Sequence, residues 1–281
     1  MVTPFDAPDW RGMNQQDLDS GLNNGAAVAG SGDMVALWER RSAEFRAARP
    51  DHVDLRYGHR ERNRIDFFKA RPNAPTLLFI HGGYWQTRSK EAFSLFAAGP
   101  MAHGINVAMI GYTLAPEATL DAIIAEIHAG IDFLADRLRD LGGDANRIAV
   151  SGWSAGGHLT AMAMSHPRVK GGVGISGIYD LEPIRHSYLN VKLGLDEAMS
   201  RRNSPMMQVQ GPIKPLALTV GAAELPLLRK QTADFAGHRA RCGLPVSYEE
   251  ISDANHFTIM DELLSSTGRI TLMIRQLFER M

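Results

Sequence analysis

Ser154 sits in Gly152-Trp153-Ser154-Ala155-Gly156, between the apolar run Ile148-Ala149-Val150 and a stretch that reads as a helix from Ala155. A G-x-S-x-G sequence in strand–turn–helix context forces the serine onto a tight, strained turn. Residues larger than glycine two before and two after it would strike the neighbouring strand and helix. The turn exposes the hydroxyl and sets it at the amino end of the helix, whose dipole favours developing negative charge. The chemistry this points to is nucleophilic attack on an acyl carbon. A second, separate signal is His81-Gly82-Gly83-Tyr84-Trp85, which follows the apolar run Thr76-Leu77-Leu78-Phe79-Ile80. A tetrahedral oxyanion needs N–H donors already aimed at it, and glycines let the backbone come that close. Gly82, Gly83 and Ala155 are the candidate donors.

A serine nucleophile needs a histidine base and an acid to orient that histidine, and on a strand–turn–helix frame the chain order is serine, acid, histidine. His158 and His166 lie on the helix after Ser154, His186 falls in a proline-rich stretch and His238 lies within a helix. His256, in Asp253-Ala254-Asn255-His256-Phe257, stands on the turn between the strand Val246 to Ile251 and the last helix. It is the expected general base. The acid should follow the preceding strand, Leu216 to Val220, and Glu224 is the carboxylate of the loop Gly221-Ala222-Ala223-Glu224-Leu225-Pro226. Asp180 and Asp253 are its rivals.

The elements that must position these residues alternate along the chain. Apolar strands at Thr76 to Ile80, Ile105 to Ile110, Arg147 to Val150, Gly172 to Ile175, Leu216 to Val220 and Val246 to Ile251 take turns with amphipathic helices at Arg88 to Met101, Leu120 to Leu138, Ala155 to Met164, Pro226 to Ala240 and Met260 to Arg280. That alternation predicts parallel pairing through crossovers, hence an α/β fold: one mostly parallel central sheet with helices on both faces. Two earlier runs, Val53 to Tyr57 and Ile65 to Phe68, read as a strand pair. Residues 1–50 are expected to form a helical arm or lid, with Gly21 to Ala27 as a flexible connection, and residues 51–281 the main domain. Residues 181–211, with prolines and no strand pattern, are expected to form a cap insertion above the carboxyl edge of the sheet, where open α/β sheets bind ligands.

The 281 residues are 44% hydrophobic and carry 30 Lys+Arg against 31 Asp+Glu, a formal net charge of −1. Such a chain buries a large core and lacks the clustered cations that nucleic acid demands. The nine arginines between Arg40 and Arg71 are interleaved with acids and predict a solvated face. One cysteine, Cys242, excludes an intrachain disulfide and a Cys-based metal site. No H-E-x-x-H is present, and Gly172-Val173-Gly174-Ile175-Ser176-Gly177, although it matches G-x-G-x-x-G, lies within a strand and lacks the acidic partner of a dinucleotide site. The expectation is a cytoplasmic enzyme on a small-molecule substrate, with no metal, cofactor, nucleic-acid or membrane partner. A homodimer is compatible with it.

Several runs carry a resemblance. His81-Gly82-Gly83-Tyr84-Trp85-Gln86, the stretch from Gly152 to Leu159, Ser176-Gly177-Ile178-Tyr179-Asp180-Leu181-Glu182-Pro183-Ile184 and Arg202-Asn203-Ser204-Pro205 resemble the serine-dependent arylformamidases, or kynurenine formamidases. The resemblance runs from about Leu77 to Glu262, near the hormone-sensitive-lipase-like esterases. It implies an α/β-hydrolase fold and metal-free hydrolysis of N-formyl-kynurenine to kynurenine and formate. The family usually carries aspartate where Glu224 stands and often histidine where Trp153 stands; the related esterases have a third glycine in place of Tyr84. A broad-specificity carboxylesterase with the same three residues and a non-catalytic receptor are the rival functions. Tyr84, Trp85 and Tyr188 are candidate walls for an aryl group.

Overall fold

The computed structural model describes residues 9–208 and 213–281. Among these, eight strands form one sheet in the order β1-β2-β4-β3-β5-β6-β7-β8. They are β1 (Leu55–Arg56), β2 (Arg64–Phe68), β3 (Ala74–Ile80), β4 (Asn106–Ile110), β5 (Gly143–Trp153), β6 (Val169–Ile175), β7 (Leu216–Gly221) and β8 (Val246–Ile251). The pairs β1/β2 and β2/β4 are antiparallel; all pairs from β4 to β8 are parallel. The parallel strands therefore end on one common edge, and the loops after β3, β5, β6, β7 and β8 gather there.

The helices are α1 (Gln15–Leu22), α2 (Asn24–Ala27), α3 (Ser31–Ala47), α4 (Ala98–Ala102), α5 (Leu120–Leu141), α6 (Ala155–Ala163), α7 (Glu182–Arg185), α8 (Asn190–Leu193), α9 (Glu197–Asn203), α10 (Pro226–Arg241) and α11 (Arg269–Glu279). They cover both faces of the sheet. Strand alternation shows the division: Leu78 and Ile80 of β3 point into a core with α5 and α6, whereas Leu77 and Phe79 join a second core with α3 and α11. No described helix is long and apolar enough to cross a membrane.

Three expectations change in detail. The stretch Gly21 to Ala27 is no open connection, because Asn23 accepts the Ala26 N–H through its side chain and starts the short turn of α2. The expected helix Arg88 to Met101 is a 3-10 helix, Lys90–Ala97, followed by α4. The last helix is split into a 3-10 turn, Thr258–Leu263, and α11, because Ser265-Ser266-Thr267-Gly268 intervenes. Within the cap, residues 181–208 form α7, α8 and α9 with no strand, and residues 209–211 lie outside the described residues.

The basic run is also more than a solvated face. Asp66, fully buried, accepts from Arg46 at 2.8 Å and from Lys90 at 2.8 Å, and Lys90 also reaches Asp54 at 2.7 Å. A cavity of about 530 Å³ opens beside this network, lined by Asp54, Arg62, Arg64, Lys90 and Glu91 among others; none of the candidate site residues borders it.

Candidate active site

Strand β5 delivers Ser154 to the carboxyl edge, and α6 begins at the next residue. Ser154 has φ 58° and ψ −118°, a conformation that L-residues adopt only when the surroundings impose it. Those surroundings need glycine. A Cβ on Gly156 would stand 2.0 Å from the Ile80 carbonyl oxygen, and one on Gly152 would stand 2.4 Å from the Gly156 oxygen. The Ser154 N–H donates to the Ile175 carbonyl at 2.8 Å, which ties the turn to β6.

The loop after β3 lies against this turn. A Cβ on Gly82 would meet the Trp153 carbonyl oxygen at 2.7 Å and the Ser154 Cβ at 3.1 Å, so only glycine permits the approach. Gly83, at φ +112°, accepts at its carbonyl from the N–H groups of Gln86 and Thr87, each at 3.0 Å. The N–H groups of Gly82, Gly83 and Ala155 donate to no carbonyl among the described residues. The loop is braced from behind by His81, whose ring stacks on Tyr112 at 4.3 Å between centroids and whose Nδ1 lies 2.8 Å from the Gly82 carbonyl. Arg62 donates to the carbonyls of Tyr112 and Arg88 on either side.

Glu224 and His256 meet. His256 Nδ1 is 2.7 Å from Glu224 Oε2, and both side chains are buried. The other carboxylate oxygen accepts from Ser176 Oγ at 2.6 Å and from the Gly221 N–H at 2.7 Å. An ionised carboxylate only accepts, so the imidazole carries its proton on Nδ1 and leaves the Nε2 lone pair free. The rivals point elsewhere: Asp180 accepts the Glu182 N–H at 3.0 Å, and Asp253 is exposed. Asp180 is also pushed above the usual carboxylate range by burial.

Trp153 joins the two halves. Its indole N–H donates to the His256 carbonyl at 2.8 Å, and its ring lies 4.7 Å from the imidazole. Ser154 and His256 are thus held on the same rim, at 2% and 3% exposure. Ser154 Oγ makes no hydrogen bond among the described residues, so the serine–histidine bond itself is not closed here.

The other histidines have separate partners. His158 Nε2 is 2.8 Å from the Asn203 carbonyl, His166 Nε2 is 3.3 Å from Asp132, and His186 stacks on Trp10. Of the candidate wall residues, Tyr84 is tied to the arm, donating to the Leu22 carbonyl at 2.6 Å. Trp85 is fully buried with its ring edge-on to His158, and Tyr188, 43% exposed, donates its backbone N–H to the Asp19 carboxylate at 2.9 Å. A cavity of about 120 Å³ is bordered by Glu224 and His256 from the rim and by Asn24, Ala27 and Val28 from the arm. Ser176 and Asn24 were not among the expected site residues. The one available signal for Ser176 was its place directly after β6, on the same edge as the loop that carries Glu224.

Solved structures share the fold. A candidate thioesterase from Silicibacter sp. superposes with a TM-score of 0.85 at 26% identity, over 92% of this chain and 99% of that one. The Pyrobaculum calidifontis esterase matches with a TM-score of 0.72 at 20% identity, over 95% and 97%. The chain has the α/β-hydrolase fold. Residues 68–172 of the hydrolase match the BD-FAE family model. The kynurenine formamidase of Danio rerio is 26% identical across 95% of this chain and 97% of its own length, and that of Salmo salar 29% identical across 79% and 80%. Both relatives carry the name of a hydrolase, which agrees with an enzyme of the serine-hydrolase type.

Proposed function

We propose that the hydrolase cleaves an aryl formamide, N-formyl-L-kynurenine to L-kynurenine and formate, through a formyl-enzyme intermediate. The observation that carries the chemistry is the 2.7 Å pair of His256 Nδ1 and Glu224 on the rim where β5 presents Ser154. The choice of a formamide is supported by similarity, over 79% to 95% of the chain, to proteins named kynurenine formamidase.

In this reading Ser154 Oγ closes onto His256 Nε2, gives up its proton and attacks the formyl carbon. The N–H groups of Gly82, Gly83 and Ala155 receive the oxyanion, and Glu224 stabilises the imidazolium. His256 then protonates the aniline nitrogen, the C–N bond breaks, and water repeats the cycle on the formyl ester. A formyl group needs little space, in keeping with a cavity of about 120 Å³ beside His256.

The second reading, a carboxylesterase, is favoured by the structural likeness to esterases. The two separate on kcat/KM for N-formyl-kynurenine against short p-nitrophenyl esters. Formamide turnover comparable to or above that of the esters is expected; a preference for esters by several orders of magnitude refutes the formamidase reading. A serine-directed fluorophosphonate followed by peptide mass spectrometry should mark Ser154, and an unmarked Ser154 would leave only a receptor.

A further inference from the structure

We infer that Asn24 Oδ1 accepts the N–H of the scissile amide and thereby sets the site to cleave amides in preference to esters; this rests on the formamidase reading above. Asn24 opens α2, is 5% exposed, and borders the same small cavity as His256 and Glu224. Tyr84 determines which end of its carboxamide is engaged. The phenol has one proton, and the Leu22 carbonyl, which can only accept, takes it at 2.6 Å. Toward Asn24, at 2.9 Å, the phenol oxygen is therefore an acceptor, and the amide must offer its NH₂. The carboxamide oxygen is what remains. It is buried and has no partner among the described residues.

An orphaned buried acceptor beside a candidate general acid has a specific use in amide cleavage. As Ser154 Oγ bonds to the carbonyl carbon, the nitrogen loses its conjugation and gains a lone pair, which must face the His256 N–H before the C–N bond can break. The nitrogen's other substituents are the aryl group and one hydrogen, so whatever holds that hydrogen decides where the lone pair points. The proton taken from Ser154 passes through His256 to the nitrogen, the amine leaves carrying both hydrogens, and the formyl group stays on Oγ. An ester oxygen has two lone pairs and no hydrogen. It gains nothing from the acceptor.

The contrary explanation is that Asn24 serves only to fasten the arm to Tyr84. Three variants of the full chain separate the two: Asn24→Ala removes both fastening and acceptor, Tyr84→Phe removes the fastening alone, and Asn24→Asp keeps an acceptor oxygen while losing the donor. Formanilide and phenyl formate share one acyl group and differ in the leaving atom. Asn24→Ala should lower kcat/KM for formanilide about 10- to 100-fold more than for phenyl formate. Tyr84→Phe should change both by the same factor, and Asn24→Asp should keep the amide-to-ester ratio near that of the parent. Equal losses on the two substrates in Asn24→Ala overturn the inference while the formamidase reading stands. A parent enzyme that cleaves phenyl formate but not formanilide overturns both.

Discussion

In the proposed triad, the long side chain of Glu224 is held by two bonds at the oxygen that faces away from His256. Ser176 Oγ and the Gly221 N–H fix Oε1, which leaves Oε2 aimed at His256. Glu224→Gln breaks this arrangement in either orientation. Its NH₂ group faces the Gly221 N–H, or it faces His256 and forces the proton onto Nε2, the nitrogen that must accept from serine. Loss of kcat by roughly 10³- to 10⁴-fold is expected, with the fold retained by circular dichroism; a loss below tenfold would remove Glu224 from the proposed triad. The strain at Ser154 gives an independent prediction. Ser154→Ala keeps a Cβ at φ 58°, whereas Ser154→Gly does not, so the glycine variant should be the more stable by about 1 kcal/mol after its extra unfolded-state entropy is counted. Thermal unfolding of the two inactive proteins compares them, and an alanine variant as stable as the glycine one would show that the turn is relaxed. The placement of Ser154, Glu224 and His256 on one edge of the sheet is legible in the sequence because each follows a strand whose type and order the apolar pattern reveals. Ser176 and Asn24 are not, since their importance comes from neighbours brought by other strands and by the arm, and neither sits in a motif.

At the scale of elements, residues 9–50 have two characters that the sequence pattern merges into one arm; residues 1–8 of the expected arm lie outside the described residues. Helices α1 and α2 reach over the rim, where Leu22 and Asn24 meet Tyr84 and where Gln15 and Asp19 bond to the cap at His186 and Tyr188. Helix α3 is instead part of the second core. Trp38 is 3% exposed, and its ring lies within 6.0 Å of those of Phe93, Phe96, Trp153 and Phe257. A helical period shows that α3 has an apolar stripe without showing which element receives it; the receiving residues include Trp153, next to Ser154. Trp38→Ala should therefore cost about 3–5 kcal/mol of stability, measured by urea unfolding, and should impair turnover through the loosened Trp153 and His256. A loss under 1 kcal/mol would return α3 to the status of a detachable arm. The alternation of β3 through β8 was read correctly for an equally physical reason: strands buried on both faces are short continuous apolar runs. Helix ends were less legible, since Ser265 to Gly268 stops a helix that the apolar spacing alone would continue.

At the scale of the molecule, burial on the two faces of the sheet leaves two imidazoles, His81 and His158, inside and neutral. Burial pushes His81 down to about 4, against a weaker upward pull from the Gly82 carbonyl. It does the same to His158, also to about 4, against the pull of the Asn203 carbonyl. Both groups are neutral in the folded and the unfolded chain above pH 7, where they contribute nothing to the pH dependence. As pH falls below the ordinary imidazole value, the unfolded chain takes up protons that the folded chain refuses, so stability declines until about pH 4, where the folded imidazoles also protonate. Each contributes a loss of about 2 kcal/mol at pH 5 relative to pH 7. Glu91 adds to the same trend at lower pH: burial raises its carboxyl, but the bonds from Lys90 and Ser89 outweigh it and hold the group at about 2, so its stabilisation is lost as pH falls from the ordinary carboxylate range. His158→Gln places an uncharged amide where Nε2 meets the Asn203 carbonyl at 2.8 Å. Urea unfolding at pH 7 and pH 5 should show the parent losing several kcal/mol and this variant losing about 2 kcal/mol less. An identical decline in both proteins would mean that His158 is hydrated or already charged in the folded state, contrary to its complete burial against Trp85 and α9.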